Sequence, residues 1–217
     1  MSENAPKSAK NKLWTPANNM TGARPVLGGI ATYKFITGEK GVTPYILAGV
    51  ATDGEGYVAR FFDRYFPELE IGSSDIGEKW DPIADTTFML EIAAGALASP
   101  NVNWQAKTGV GIVLGKEGRK TAWAVRNSLR YKEATGKDMV MKPKMPGKIG
   151  TVGAFGAILA AGIVHDLGKE NPMSPAIGYT GIVLGAVGTT AGEIQLFDYN
   201  RQLAPVFAKF QNIAEQS

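Results

Sequence analysis

The sequence predicts an all-α protein, a polytopic membrane protein built as a bundle of about six transmembrane helices. Three observations predict it. Apolar segments recur along the chain, separated by short polar or charged stretches. Its 27 glycines concentrate in those apolar segments, where glycine is costly for a soluble helix but lets membrane helices approach closely. When six segments alternate in direction, nearly all the Lys and Arg near their ends fall on one side.

Composition sets the bounds. A chain of 217 residues is one domain or one compact membrane unit. The net charge of +3 and sequence pI of about 9.0 say little about partners until the charges are placed along the chain. The absence of Cys excludes a disulfide framework and thiolate chemistry. The one His, His165, stands beside Asp166 and reads as a helix cap or end, and a single His excludes most His-based metal sites. Hydropathy by itself leaves a soluble helical protein open. Mean hydropathy is -0.08, and only Asn171 to Gly192 is an uncharged run above the usual threshold of about 18 residues. Residues 1–22 are polar, without the apolar core of a signal peptide.

Taken in order, residues 1–14 read as a disordered polar tail. Thr15 to Arg24 leads into a first span over Ala23 to Thr37, with Thr and Asn as helix caps. Gly38-Glu39-Lys40-Gly41 is a turn. A second span covers Val42 to Phe62, and residues 63–76 form a polar insertion. A third runs from Trp80 to Leu97 and ends at Ala98-Ser99-Pro100-Asn101. A fourth, weaker one covers Trp104 to Lys116. Residues 116–148 are the most basic region and read as a solvated helix with a loop. Ile149 to His165 and Pro175 to Ile194 are the fifth and sixth spans, and the polar tail from Leu196 reads as helical. On this scheme the basic N-terminal tail, the 53–80 segment, the 116–148 loop and the C-terminal tail share one side, which positive-inside reasoning makes cytoplasmic.

The chemistry concentrates between Thr52 and Phe88. Asp81 and Asp85, four residues apart, lie one turn apart on one helix face and can point at one ion. Asp53 and Glu55 sit on a Gly-flanked turn that can face them. Converging carboxylates repel unless cations lie between them, and oxygen-only ligation selects a hard cation: Mg²⁺, Mn²⁺ or Ca²⁺. The plainer alternative is a solvated acidic loop between two helices.

The order of residues here resembles the signature of the CDP-alcohol phosphatidyltransferases, D-x-x-D-G-x-x-A-R, eight residues, then G-x-x-x-D-x-x-x-D. Glu55-Gly56-Tyr57-Val58-Ala59-Arg60 matches the D-G-x-x-A-R part with Glu for Asp, and Gly77 to Asp85 matches the second part without change. Two departures stand out. Sixteen residues separate Arg60 from Gly77, and counting back three from Glu55 gives Thr52 rather than Asp53. Asn18, Thr21 and Arg24 are similar to the family's entry into its first membrane helix. Gly147-Lys148-Ile149-Gly150-Thr151 resembles the G-K-x-K-T of the phosphatidylglycerophosphate synthase branch, with Gly150 in place of the second Lys. Asp198-Tyr199-Asn200-Arg201 resembles its close after the sixth span.

The resemblance covers most of residues 15–203, leaving 204–217 as a polar tail. It implies transfer of a phosphatidyl group from CDP-diacylglycerol to an alcohol, with release of CMP, by two Mg²⁺ or Mn²⁺ ions that clamp the attacking and leaving oxygens. It implies metal ligation by Asp53 (or Thr52), Glu55, Asp81 and Asp85, with Asp81 and Asp85 catalytic and Asp85 taking the acceptor's proton. It places the nucleotide against Gly56, Ala59, Arg60 and Gly77. Lys148, then Arg119, Arg126 and Arg201, are the candidates for an acceptor phosphate. The acceptor expected is glycerol 3-phosphate, with an inositol phosphate or another polyol as the alternative. The partners expected are these substrates and membrane lipids, with no nucleic acid; a homodimer is the assembly left open. An integral membrane protein with its site at the cytoplasmic face follows. A non-catalytic membrane protein with a degenerate metal motif is the competing expectation, because residues two apart, as Asp53 and Glu55 are, point to different helix faces.

Overall fold

The computed structural model describes residues 15–52, 55–69, 75–139 and 144–214, apart from the side chains of 55–57, 67, 75–79, 82 and 211–214. Among these residues every α or 3-10 segment is helical and there is no strand, so the all-α expectation holds. The helices are α1 (Pro16–Thr37), α2 (Thr43–Ala51), α3 (Glu55–Tyr65), α4 (Asp75–Ala98), α5 (Trp104–Thr135), α6 (Met145–Leu167) and α7 (Ser174–Ala214), with a 3-10 turn at Pro67–Leu69.

Local chemistry sets the ends. Thr15 caps α1, its hydroxyl accepting from the Asn18 N–H at 3.1 Å, with Pro16 in the first turn where its missing N–H costs nothing. Gly38 and Gly41, at φ 79° and 85°, carry the turn into α2 in a conformation that other residues adopt only at a cost. The N-terminus of α2 is capped from a distance. Asp166 accepts from the backbone N–H groups of Gly41, Val42 and Thr43 at 2.8–2.9 Å. So Asp166, not His165, is the cap, and the helix it caps is α2 rather than its own. His165 is buried and bridges Ser99 Oγ at 2.8 Å and the Glu39 carbonyl at 3.0 Å, with its ring edge-on to Phe35.

The expected second span is two helices rather than one. α2 stops at Ala51, where the Thr52 hydroxyl turns back to donate to the Gly49 carbonyl at 2.6 Å. α5 runs through much of the basic region, 32 residues from its Asn103 cap to Gly136, so the expected fourth span is only its first half. α7 continues for 41 residues, and the boundary drawn at 203/204 falls inside it.

Contacts fix the directions. Arg24, Gly28 and Thr32 of α1 meet Asp81, Phe88 and Glu91 of α4 in ascending order, so these two helices run parallel. Gly150 and Gly153 of α6 meet Gly192, Gly188 and Leu184 of α7 in descending order, so those two are antiparallel. With α2 and α5 placed in the same way, α1, α4 and α6 start at the end of the bundle where α2, α5 and α7 finish. The core is apolar and continuous, built on Phe35, Ile46, Phe88, Ile92, Val110 and Ile158. The α6–α7 contact is close. A Cβ on Gly153 would stand 2.6 Å from the Leu184 carbonyl oxygen, so only glycine permits the approach.

Among the described residues one helix, α6, is long and apolar enough to cross a membrane. α1, α4, α5 and α7 are as long or nearly so, but carry more polar residues.

Candidate active site at the acid pair

Asp81 and Asp85 stand on α4, one turn apart as their spacing requires. What faces them is Arg24 of α1, whose side chain is only 1% exposed. Its Nη1 donates to Asp81 Oδ1 at 2.7 Å and also to Asp85 Oδ1. Its Nε donates to the Thr52 hydroxyl at 2.9 Å. One guanidinium thus ties together the end of α2 and both carboxylates of α4. Arg suits the task because its planar fork offers several fixed donors and keeps its charge when buried. The two carboxylates themselves are about a third exposed, 36% and 34%, so the pair faces outward from a buried cation.

Thr52 therefore faces the acid pair. Asp53 lies outside the described residues. Glu55 and Gly56 open α3, and the Glu55 side chain is also outside them. Ala59 is buried and Arg60 exposed on the same helix, which packs against α1. Gly77 lies in the first turn of α4, beyond the described side chains. On the neighbouring stripe of α4, Trp80, Ile83 and Thr87 face Asn18, Asn19 and Gly22 of α1 across a cavity of about 720 Å³.

A divalent cation is compatible with this donor set in part. Each carboxylate bonds Arg24 through Oδ1, and a carboxylate has lone pairs for further partners. All the donors are oxygens, which a hard cation prefers. Among the described residues no group of three His, Cys, Asp or Glu gathers, so further carboxylates would have to come from Asp53 and Glu55.

The basic candidates divide. Lys148 is exposed on the first turn of α6. Arg119 is paired with Glu193 of α7, and Arg126 and Arg201 are exposed farther along α5 and α7. Beside Arg119 the structure adds a residue not singled out from the sequence. Lys116 is buried, its Nζ donating to the Gly150 carbonyl at 3.0 Å and pairing with Glu117 at 2.9 Å. Burial pushes the Glu117 carboxyl up, but Lys120 and Lys116 pull it down further, so it sits below its ordinary pKa and is ionised at neutral pH. The clue in the sequence was Gly150 itself, which leaves a space at the start of α6 that a side chain from elsewhere must fill.

No family model, no curated protein and no solved structure matches this chain.

Proposed function

We propose that the chain is a membrane-embedded phosphatidyltransferase that moves a phosphatidyl group from CDP-diacylglycerol to a small alcohol and releases CMP. The acceptor that fits the basic residues best is glycerol 3-phosphate, with an inositol phosphate as the alternative. The observation that carries the reading is the joining of Thr52, Asp81 and Asp85 through Arg24, at the end of the bundle where the basic half of α5 and the polar half of α7 also lie. The resemblance of residues 55–85 to the bipartite acid signature supplies the reaction class.

In this reaction the acceptor hydroxyl oxygen attacks the phosphatidyl phosphorus. The P–O bond to CMP breaks, CMP leaves with the electron pair, and the hydroxyl proton passes to Asp85. Arg24 holds Asp85 and Asp81 in place from behind. Asp81 and Asp85, with Asp53 and Glu55, would hold Mg²⁺ or Mn²⁺, which when bound neutralises pyrophosphate charge. Arg60 would face the nucleotide phosphates from α3, with Ala59 and Gly56 leaving room for the nucleoside. The cavity walled by Trp80 and Ile83 suits an apolar chain of the lipid substrate.

One observation also favours the non-catalytic reading. Arg24 already sets a positive charge against both acids, where a metal's charge would act. Release of CMP from CDP-diacylglycerol, measured with and without Mg²⁺ across candidate acceptors, decides between them. Metal-dependent release with one acceptor supports the transferase. No release with any acceptor, from protein that is folded and membrane-inserted, overturns it.

A further inference from the structure

We infer that the Lys116 ammonium is a binding residue for a phosphate monoester carried by the acceptor alcohol, at the junction of α5, α6 and α7. This rests on the transferase reading for the identity of the ligand, and on the geometry for the site.

Lys116 is 5% exposed, which is costly for an ammonium unless its charge is answered. Two glycines on two other helices make room for it. A Cβ on Gly192 would come within 2.8 Å of Lys116 Cε, and one on Gly150 within 3.3 Å of its Nζ. The ammonium has three donors. The Gly150 carbonyl and Glu117 take two, and the third has no partner among the described residues. The charge is also unbalanced. Glu117 is shared between Lys116 and Lys120, which leaves two cations for one anion. Glu193, the carboxylate facing this cluster from α7, is taken by Arg119.

The position suits an acceptor. α4 and α6 run parallel, and the Phe88 and Phe155 rings are 6.3 Å apart. Asp85 lies three residues before Phe88, and Gly150 five before Phe155, about 4.5 Å and about 7.5 Å of helix rise toward the same end. Lys116 therefore holds its surplus charge at the level of the acid pair. An acceptor whose phosphate rests on Lys116 presents its hydroxyl to that level of the bundle.

The test measures binding of glycerol 3-phosphate to the full chain in phosphatidylcholine nanodiscs, without CDP-diacylglycerol, and then acceptor KM. Lys116→Met keeps the stem against Gly192 and removes the charge. We expect its affinity for glycerol 3-phosphate to fall by about tenfold or more, the scale of one hydrogen bond to a charged group, with the KM for CDP-diacylglycerol unchanged. Glu117→Gln removes the competing anion and should tighten binding severalfold. Unchanged affinity in Lys116→Met overturns the assignment. If that variant does not fold, absence of any gain in Glu117→Gln overturns it instead. Phosphatidic acid in the nanodisc that displaces glycerol 3-phosphate one for one would move the site to a lipid headgroup and overturn the acceptor assignment. Lys116-dependent binding in a protein that releases no CMP would sink the transferase and keep the site. Normal transfer in Lys116→Met at unchanged acceptor KM would do the reverse.

Discussion

At the residue scale the centre of the molecule is Arg24. A buried guanidinium that holds Thr52, Asp81 and Asp85 among the described residues is stable only while its partners stay, and the reverse also holds. Arg24→Lys keeps the charge but not the fork, so one ammonium has to choose among Thr52, Asp81 and Asp85. The expected loss is about 2 kcal/mol, the worth of a charge-assisted hydrogen bond, read as a lower apparent Tm in detergent. A variant as stable as the parent would show that the fork carries no weight. Asp81→Asn and Asp85→Asn preserve side-chain volume but remove charge on the face that would hold metal. Each should abolish CMP release while leaving the protein membrane-inserted. Near-normal turnover in either at saturating Mg²⁺ would end the metal assignment. The spacing of the two acids was legible in the sequence, because four residues is one turn and any helix would align them. Arg24 was visible only as part of a helix entry. Its partners lie 28, 57 and 61 residues away, and only the packing of α1 on α4 and α2 brings them together. Lys116 was hidden for a different reason. In a run of basic residues nothing marks the one that two glycines on other helices allow to turn inward.

At the scale of elements the capping of α2 shows how far a nine-residue helix depends on its neighbours. A helix this short is marginal alone. Asp166 holds two of its otherwise orphaned N–H groups, those of Val42 and Thr43, and that of Gly41 in the turn before, from the end of α6, and so fastens α2 to the bundle. Asp166→Ala should cost about 2 kcal/mol and speed hydrogen exchange in Thr43–Ala51 before it does so in α6. Equal exchange in both helices would mean that the cap does not set the stability of α2. Helix positions were largely legible, since the apolar segments and turn glycines mark them. The length of α5 and α7 was not. Hydropathy stops at Lys116 and Ile194, but both helices continue because they pack on each other beyond the apolar zone. Trp123 stacks on Tyr199 and bonds Asn200 at 2.8 Å, and Arg130 lies over Phe207.

At the scale of the whole molecule α1, α2, α4, α5, α6 and α7 alternate in direction, and among the described residues only α6 is long and apolar enough to cross a membrane. Its 23 residues rise about 35 Å, enough for a hydrocarbon core of about 30 Å. α1 and α4 have comparable lengths; Arg24, Asp81 and Asp85 lie toward one end and answer one another, which lowers their cost near a bilayer, while Glu91 of α4 and Lys34 of α1 lie farther along. If the bundle spans a bilayer, this alternation puts its two ends on opposite sides, and the orientation is testable because the chain has no Cys. Lys132→Cys places a thiol on the exposed basic end of α5, and Lys169→Cys places one just beyond α6 at the other end. In intact cells a membrane-impermeant maleimide should label position 169 and spare 132, and in inside-out vesicles the pattern should invert. That pattern would place the basic end, and the acid pair with it, on the cytoplasmic side, as positive-inside bias predicts. Labelling of both thiols from one side would mean that the helices do not span the bilayer, and the chain would then be a helical protein at the membrane surface or free of it.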